Sequence, residues 1–219
     1  MATAIIGTGN IGGTLARQLV RGREHVVLAA KDETNAATLA EELGELAHAA
    51  SVEEAIVEAD AVVFAVWLDT IKELIAKDAG LLDGKVVVDP SNPLGFDENG
   101  QMIRTLPDDQ SAGSVVSGLL PAGVHYVKAF GTLGADALAS AANREPRRAV
   151  LFYATDDDVA ATTIDRLIRA AGFEPIKAGG LADAGRIEMP GGDLHQASLD
   201  GALLDLDEAR AAVPKELSA

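Results

Sequence analysis

Three glycines near the amino terminus, Gly7, Gly9 and Gly12, stand in G-x-G-x-x-G spacing within IIGTGNIGGTLA. This pattern suits a ligand that carries phosphates. The first glycine permits a tight turn, the second lets the backbone approach a pyrophosphate, and the third lets a helix lie close to the preceding strand. The helix that follows offers free N–H groups and the positive end of its dipole to the anion. A purely structural glycine turn is the alternative; the strand–turn–helix context favours dinucleotide binding. Which dinucleotide depends on the end of the second strand, about 20 residues on, where an acid would hold the ribose hydroxyls of NAD. There VVLAAKDE has Ala30 where the acid would stand and Lys31 beside it, which suits the 2′-phosphate of NADP. Asp32 and Glu33 leave an acid within reach of a small shift in register, and a solvated Lys31 ahead of a helix is the plain alternative.

A second stretch, VVVDPSNPLG at 86–95, ends a β-branched run in groups that cannot continue a strand. Open α/β sheets bind ligands outside the carboxyl ends of their strands, so such a stop leaves room for one; a surface turn is the bland reading. Asp89 could orient Ser91 or Asn92 by hydrogen bonding. Lys128, at the end of a later strand, reads as a rim cation or phosphate contact, and His195, in GGDLHQ, as a solvated loop residue. Arg144, Arg147 and Arg148 precede a strand, which places them at the sheet's amino edge and away from a ligand. None of these is singled out as catalytic. The chain has no cysteine, and its four histidines, at 25, 48, 125 and 195, lack ligand spacing, so no metal site is expected.

The elements that must position these groups alternate. Short apolar runs at 2–6, 25–29, 46–49, 61–66, 85–89, 124–129, 149–154 and 173–177 read as strands. Helical patterns lie between them at 10–22, 33–43, 52–59, 69–79, 110–120 and 156–171. Such alternation predicts a Rossmann-type doubly wound parallel sheet in the α/β class. Ser51 with Glu54 forms a capping box, and Asp156 to Asp158 suit the positive end of a helix dipole. After about residue 178 the pattern becomes loop-like and rich in glycine, before a last helix near 200–213 and Pro214. A boundary near Glu145–Arg148 divides a dinucleotide-binding domain, 1–146, from a smaller carboxyl-terminal α/β tail, 147–219, on the substrate side.

The formal net charge of −16 disfavours nucleic acid and anionic lipid, whose binding rests on Lys and Arg. It also means that any phosphate must be held by local features against the global field. No apolar run approaches the roughly 18 residues of a membrane span, and MATAIIG lacks a basic region ahead of its apolar stretch. A cytoplasmic protein without a membrane partner is the expectation. Leu203, Leu206 and Ala209–Arg210 form a stripe that could close the core or pair two subunits; a homodimer is expected.

With these residues in hand, the chain resembles the NADPH-dependent factor-420 (deazaflavin) reductases and the wider group of dinucleotide-binding oxidoreductases around them. The resemblance rests on IIGTGNIG, VVVDPSNPL, VKAFGTL, the aspartates after Tyr153, and DAG at 183–185, and covers most of 3–185. It implies NADP(H) as cofactor, a deazaflavin as redox co-substrate, and hydride transfer between them. It also implies that Thr8, Asn10 and Ile11 line the pyrophosphate loop. Val66 and Trp67 would lie on the adenosine–ribose side, and Asn92, Pro93, Ala129 and Phe130 beside the nicotinamide. Three departures stand out. Ala30, Lys31 and Asn35 replace the family's Ser, Arg and a further basic residue; Gly131 replaces Asn; and RIEMPGGDLHQ interrupts the helix expected after DAG. An NADPH-dependent reductase of a small imine or carbonyl compound, or a nucleotide sensor without turnover, therefore stay open beside the deazaflavin reading.

Overall fold

The computed structural model describes residues 1–213. In chain order these give β1 (Ala2–Ile6), α1 (Asn10–Arg21), β2 (His25–Ala29), α2 (Glu33–Leu43), β3 (Ala47–Ala49), α3 (Val52–Glu58), β4 (Ala61–Phe64) and α4 (Leu68–Asp78). There follow β5 (Val86–Asp89), β6 (Leu94–Phe96), β7 (Met102–Arg104), α5 (Ala112–Leu119), β8 (His125–Ala129) and α6 (Ala135–Ser140). The chain then forms β9 (Val150–Ala154), α7 (Asp158–Ala170), β10 (Glu174–Gly179) and α8 (Leu206–Ala212).

One eight-stranded sheet runs in the order β10-β9-β8-β5-β4-β1-β2-β3. Its strands are apolar on both faces because helices cover both. On one side Ile5, Val63 and Val88 meet Leu15 and Leu19 of α1 and Ile164, Leu167 and Ile168 of α7. On the other, Ala4, Ile6, Val62 and Val87 meet Ile56 of α3, Ile71 and Ile75 of α4, and Val116 of α5. Burial on both faces is what a parallel sheet needs, and the predicted Rossmann-type α/β class is the observed one. Caps set several helix starts. Ser51 and Glu54 form the expected box at α3, and Asp157 accepts from the Ala160 amide at α7.

The sheet is parallel from β3 through β8, but β9 pairs with β8 antiparallel, Lys128 opposite Ala154 and Ala129 opposite Tyr153; β10 then runs parallel to β9. This reversal corrects the placement of the arginines. Because β9 runs the other way, the residues before it lie on the side where β1, β4, β5 and β8 end, not at the amino edge. Two of them are nonetheless committed locally. Arg147 bridges Asp205 and Asp207, and Arg144 donates to the Arg147 and Leu203 carbonyls.

Local departures have local causes. The loop-like stretch after 178 holds a 3₁₀ segment, Leu181–Ile187, whose Ala184 and Ile187 pack under β9 with Leu194. A β6–β7 hairpin occupies the segment after the Asn-Pro turn, and α6 lies between β8 and β9. The last helix begins at Leu206, where Asp205 caps it, and not near 200. Pro214, read as following it, lies outside the described residues. No helix among the described residues is long and apolar enough to cross a membrane.

Candidate functional site

The glycine turn sits at the carboxyl end of β1 with a separate physical reason at each position. Gly7 has φ of +101° and donates its N–H to the Ala29 carbonyl at 2.7 Å; a Cβ there would stand 2.5 Å from the Ala65 oxygen. A Cβ on Gly12 would collide with the Gly7 carbonyl. Around Gly9 nothing lies within 4 Å of where a Cβ would stand. Gly9 is also the N-cap of α1, and no side chain caps that helix. Side chains of Asp32, Ser51, Ser111 and Asp157 cap α2, α3, α5 and α7. An uncapped helix start facing open space at a glycine fits a diphosphate. Thr8 and Ile11 are half-buried there, and Asn10 is exposed.

Lys31 is exposed just beyond the end of β2. Asp32, the acid that left the cofactor choice open, spends one carboxylate oxygen on the Thr34 amide at 3.0 Å as the cap of α2. Val66 is half-buried after β4, next to Gly7. Trp67 is 58% exposed and meets the equally exposed Phe96 of the hairpin edge-on, ring centres 5.9 Å apart. Asn92 is half-buried after β5, while Pro93, Ala129 and Phe130 are buried. Phe130 holds φ of +66° with its ring fully buried. A left-handed conformation at a bulky residue persists only where surrounding packing enforces it. The sequence-predicted residues thus end up along the carboxyl ends of β2, β1, β4, β5 and β8, which are successive neighbours in the sheet.

Beneath that rim lies a buried ionic cluster. Lys128, read as a rim cation, is only 1% exposed. Its ammonium donates to Asp89 Oδ2 at 3.0 Å, to the Ser91 carbonyl and to Ser91 Oγ at 3.4 Å, with Glu188 Oε1 at 3.6 Å. Asp89 accepts from the Ser91 amide at 2.8 Å, a contact that serves the orienting and the structural turn role alike, and from the Tyr126 hydroxyl at 2.7 Å. Glu188 accepts from the Ala112 and Gly113 amides, both at 2.8 Å, at the start of α5. Burial pushes the Glu188 carboxyl above its ordinary range, against the pull of Lys128 and the two amides. Burial likewise raises the Tyr126 phenol well above its usual value, and the neighbouring Asp89 carboxylate adds to the effect. Glu188 and Tyr126 escaped the sequence reading. The available signal was a lone acid between Ile187 and Met189.

Residues 188–196 cross the same end of the sheet. The Met189 amide donates to Asn92 Oδ1 at 2.8 Å, and Asn92 Nδ2 donates to the Gly131 carbonyl at 3.1 Å. His195, expected in solvent, is 3% exposed. Burial lowers its pKa, with the Gly131 carbonyl acting the other way, and its Nδ1 accepts from the Ala197 amide at 3.0 Å. The Gln196 amide donates to the Thr132 carbonyl. Glycine at 131 has a steric reason, since a Cβ would stand 2.6 Å from the Pro90 oxygen. Among the described residues no cluster of His, Cys, Asp and Glu could hold a metal ion.

A mostly parallel sheet with an uncapped, glycine-entered first helix defines a Rossmann-type fold of the dinucleotide-binding kind. Residues 2–93, fewer than half of the chain, match the family model described as NADP oxidoreductase, coenzyme F420-dependent. The metalloreductase STEAP3 of Rattus norvegicus is 32% identical over 184 residues, which are 84% of this chain; the chain spans 35% of that protein's length. A hypothetical protein of Sinorhizobium meliloti, SMa0349, superposes with a TM-score of 0.78 at 28% identity, over 94% of this chain and 95% of its own. A protein from Arthrobacter sp. FB24, provisionally described as an F420-dependent NADP reductase, shares the fold with a TM-score of 0.72 at 23% identity, over 83% and 86%.

Proposed function

We propose that the protein transfers hydride between NADP(H), held at Gly7–Gly12 with Lys31 on the 2′-phosphate, and a deazaflavin-type carrier. When bound, the cofactor supplies a hydride from C4 of its nicotinamide, and the matching proton comes from water. The protein's part is to bind, to orient and to exclude solvent. Thr8, Asn10 and Ile11 line the diphosphate, and Val66 and Trp67 flank the adenosine–ribose side. Asn92 borders the nicotinamide, with the buried Pro93, Ala129 and Phe130 backing that rim. Residues 1–146 carry the dinucleotide and 147–219 the acceptor side.

One observation carries the choice of acceptor. The acid–base groups beneath the nicotinamide rim are held by protein partners: Lys128 by Asp89 and Ser91, Glu188 by two amides, and His195, through Nδ1, by the Ala197 amide. A ketone or imine needs a proton donor at the reacting centre, whereas a deazaflavin spreads its charge over a ring open to water. Turnover, as opposed to sensing, is supported by a cavity of about 670 Å³ lined by Arg104, Ser111, Ser114, Gly185, Glu188 and Pro190. Its volume lies within the range of roughly 300–1,000 Å³ usual for small-molecule sites, and two of its residues flank Met189, the partner of Asn92. The test is anaerobic mixing of the protein with NADPH and a deazaflavin, following the absorbance of both. Reduction of the deazaflavin in step with NADPH loss is expected. NADPH oxidation by an imine or carbonyl compound alone would replace this reading with the imine or carbonyl reductase.

A further inference from the structure

The cluster around Lys128 is costly to bury and is almost wholly withdrawn from solvent, so its retention beneath the rim calls for a reason beyond stability. Replacing a buried ion pair by apolar residues is often neutral or stabilising. The contacts suggest what it does. Three of the partners of Lys128 belong to the turn that leaves β5: the Asp89 carboxylate, the Ser91 carbonyl and the Ser91 hydroxyl. Asp89 holds the Ser91 amide as well, so both the amide and the carbonyl of Ser91 are fixed from below. The next residue, Asn92, is then stretched between the Met189 amide and the Gly131 carbonyl. Its side-chain amide is used as a brace between the loops after β5 and β8, and Glu188, beside Met189, returns to the Lys128 ammonium.

We infer that Lys128 is a positioning residue for the nicotinamide half of the cofactor: through Ser91 and Asn92 it fixes the rim on which that ring lies. The inference rests on the proposed placement of the nicotinamide at Asn92 and Pro93. It adds a group that meets no ligand atom. The diphosphate and 2′-phosphate contacts, on β1 and β2, are independent of it. A rigid rim lowers the cost of ordering the ring and holds it in one geometry; without the ammonium the Ser91 carbonyl and hydroxyl lose their anchor and the turn is held less firmly.

The two halves of the cofactor can be separated with 2′-phospho-ADP-ribose, which lacks the nicotinamide. Titrations of wild type, Lys128→Met and the charge-balanced pair Lys128→Met with Asp89→Asn need no acceptor, so they stand apart from the identity of the co-substrate. In wild type NADPH should bind at least about fivefold tighter than 2′-phospho-ADP-ribose, the lower end of usual coupling between sites. In both variants that ratio should fall to about one, with the affinity for 2′-phospho-ADP-ribose itself unchanged. A merely structural lysine would lower the melting temperature and leave the ratio intact, and that result overturns the inference. If Lys128→Met does not fold, the pair variant alone decides. Failure of wild type to distinguish the two ligands would instead remove the nicotinamide placement on which both proposals stand.

Discussion

At the scale of the residue, the turn after β1 separates what folding needs from what a ligand needs. Gly7 and Gly12 are required by the chain's own backbone, since a Cβ at either meets a carbonyl oxygen; Gly9 meets nothing. Gly12→Ala should therefore destabilise the fold by about 1–3 kcal/mol, the usual cost of overpacking, as read by urea unfolding. A loss below 0.5 kcal/mol would mean that the turn yields more easily than its geometry indicates. In the proposed reading Lys31 carries the cofactor preference. Lys31→Ala should weaken NADPH by about 1–3 kcal/mol, the scale of hydrogen bonds to a charged group, and leave NADH nearly unchanged. Trp67 fluorescence, expected to be quenched on binding, follows both titrations; equal losses for the two nucleotides would remove Lys31 from the 2′-phosphate. The glycine turn was legible because its geometry is written in local spacing. Lys128 and His195 were misjudged, because only the fold decides whether the end of a strand or a glycine-rich loop is covered.

At the scale of the element, the segment 188–196 is what covers them. Its sequence shows no periodicity, since what holds it are single contacts to distant backbone: Glu188 to α5, Met189 to Asn92, Gln196 to Thr132. Glu188→Ala should cost about 3 kcal/mol, the scale of breaking a buried ion pair, because it strands Lys128 and two helix amides together. Urea unfolding checks this, and a change under 1 kcal/mol would deny Glu188 that role. His195 gives the segment a pH dependence. Its folded pKa lies below the unfolded value of about 6.5, so the unfolded chain binds more protons in that window. The stability tied to neutral His195 is present above about pH 6.5 and is lost as pH falls toward the folded pKa. His195→Gln should flatten that decline in unfolding free energy; an unchanged slope would assign it to other groups. The helices and strands through β5 were legible to within a residue or two, because amphipathic stripes and caps are local signals. The reversal at β9 was not, since strand direction is set by tertiary pairing, and the arginines before it were placed at the wrong end of the sheet for that reason.

At the scale of the whole molecule, an acidic protein binds a polyanion. With a net charge of −16 the long-range field repels NADPH, while attraction is confined to one helix start and one lysine. Salt screens the former over about 10 Å at 0.1 M. The association rate of NADPH should therefore rise between low and moderate ionic strength, opposite to the usual steering of an anion into a basic cleft. Stopped-flow fluorescence reads this directly, and a falling rate would reveal a basic path that the charge pattern does not suggest. The central claim is that backbone amides at the first turn grip the dinucleotide. It is tested most directly by calorimetric titration of NADPH into wild type and Gly9→Ala, whose added methyl meets no protein atom. The account predicts saturable binding to wild type, tighter for NADPH than for NADH. In the variant the affinity should fall about tenfold or more, about 1.4 kcal/mol, with the melting temperature unchanged. Equal affinity in both proteins, or no binding to wild type, would contradict it.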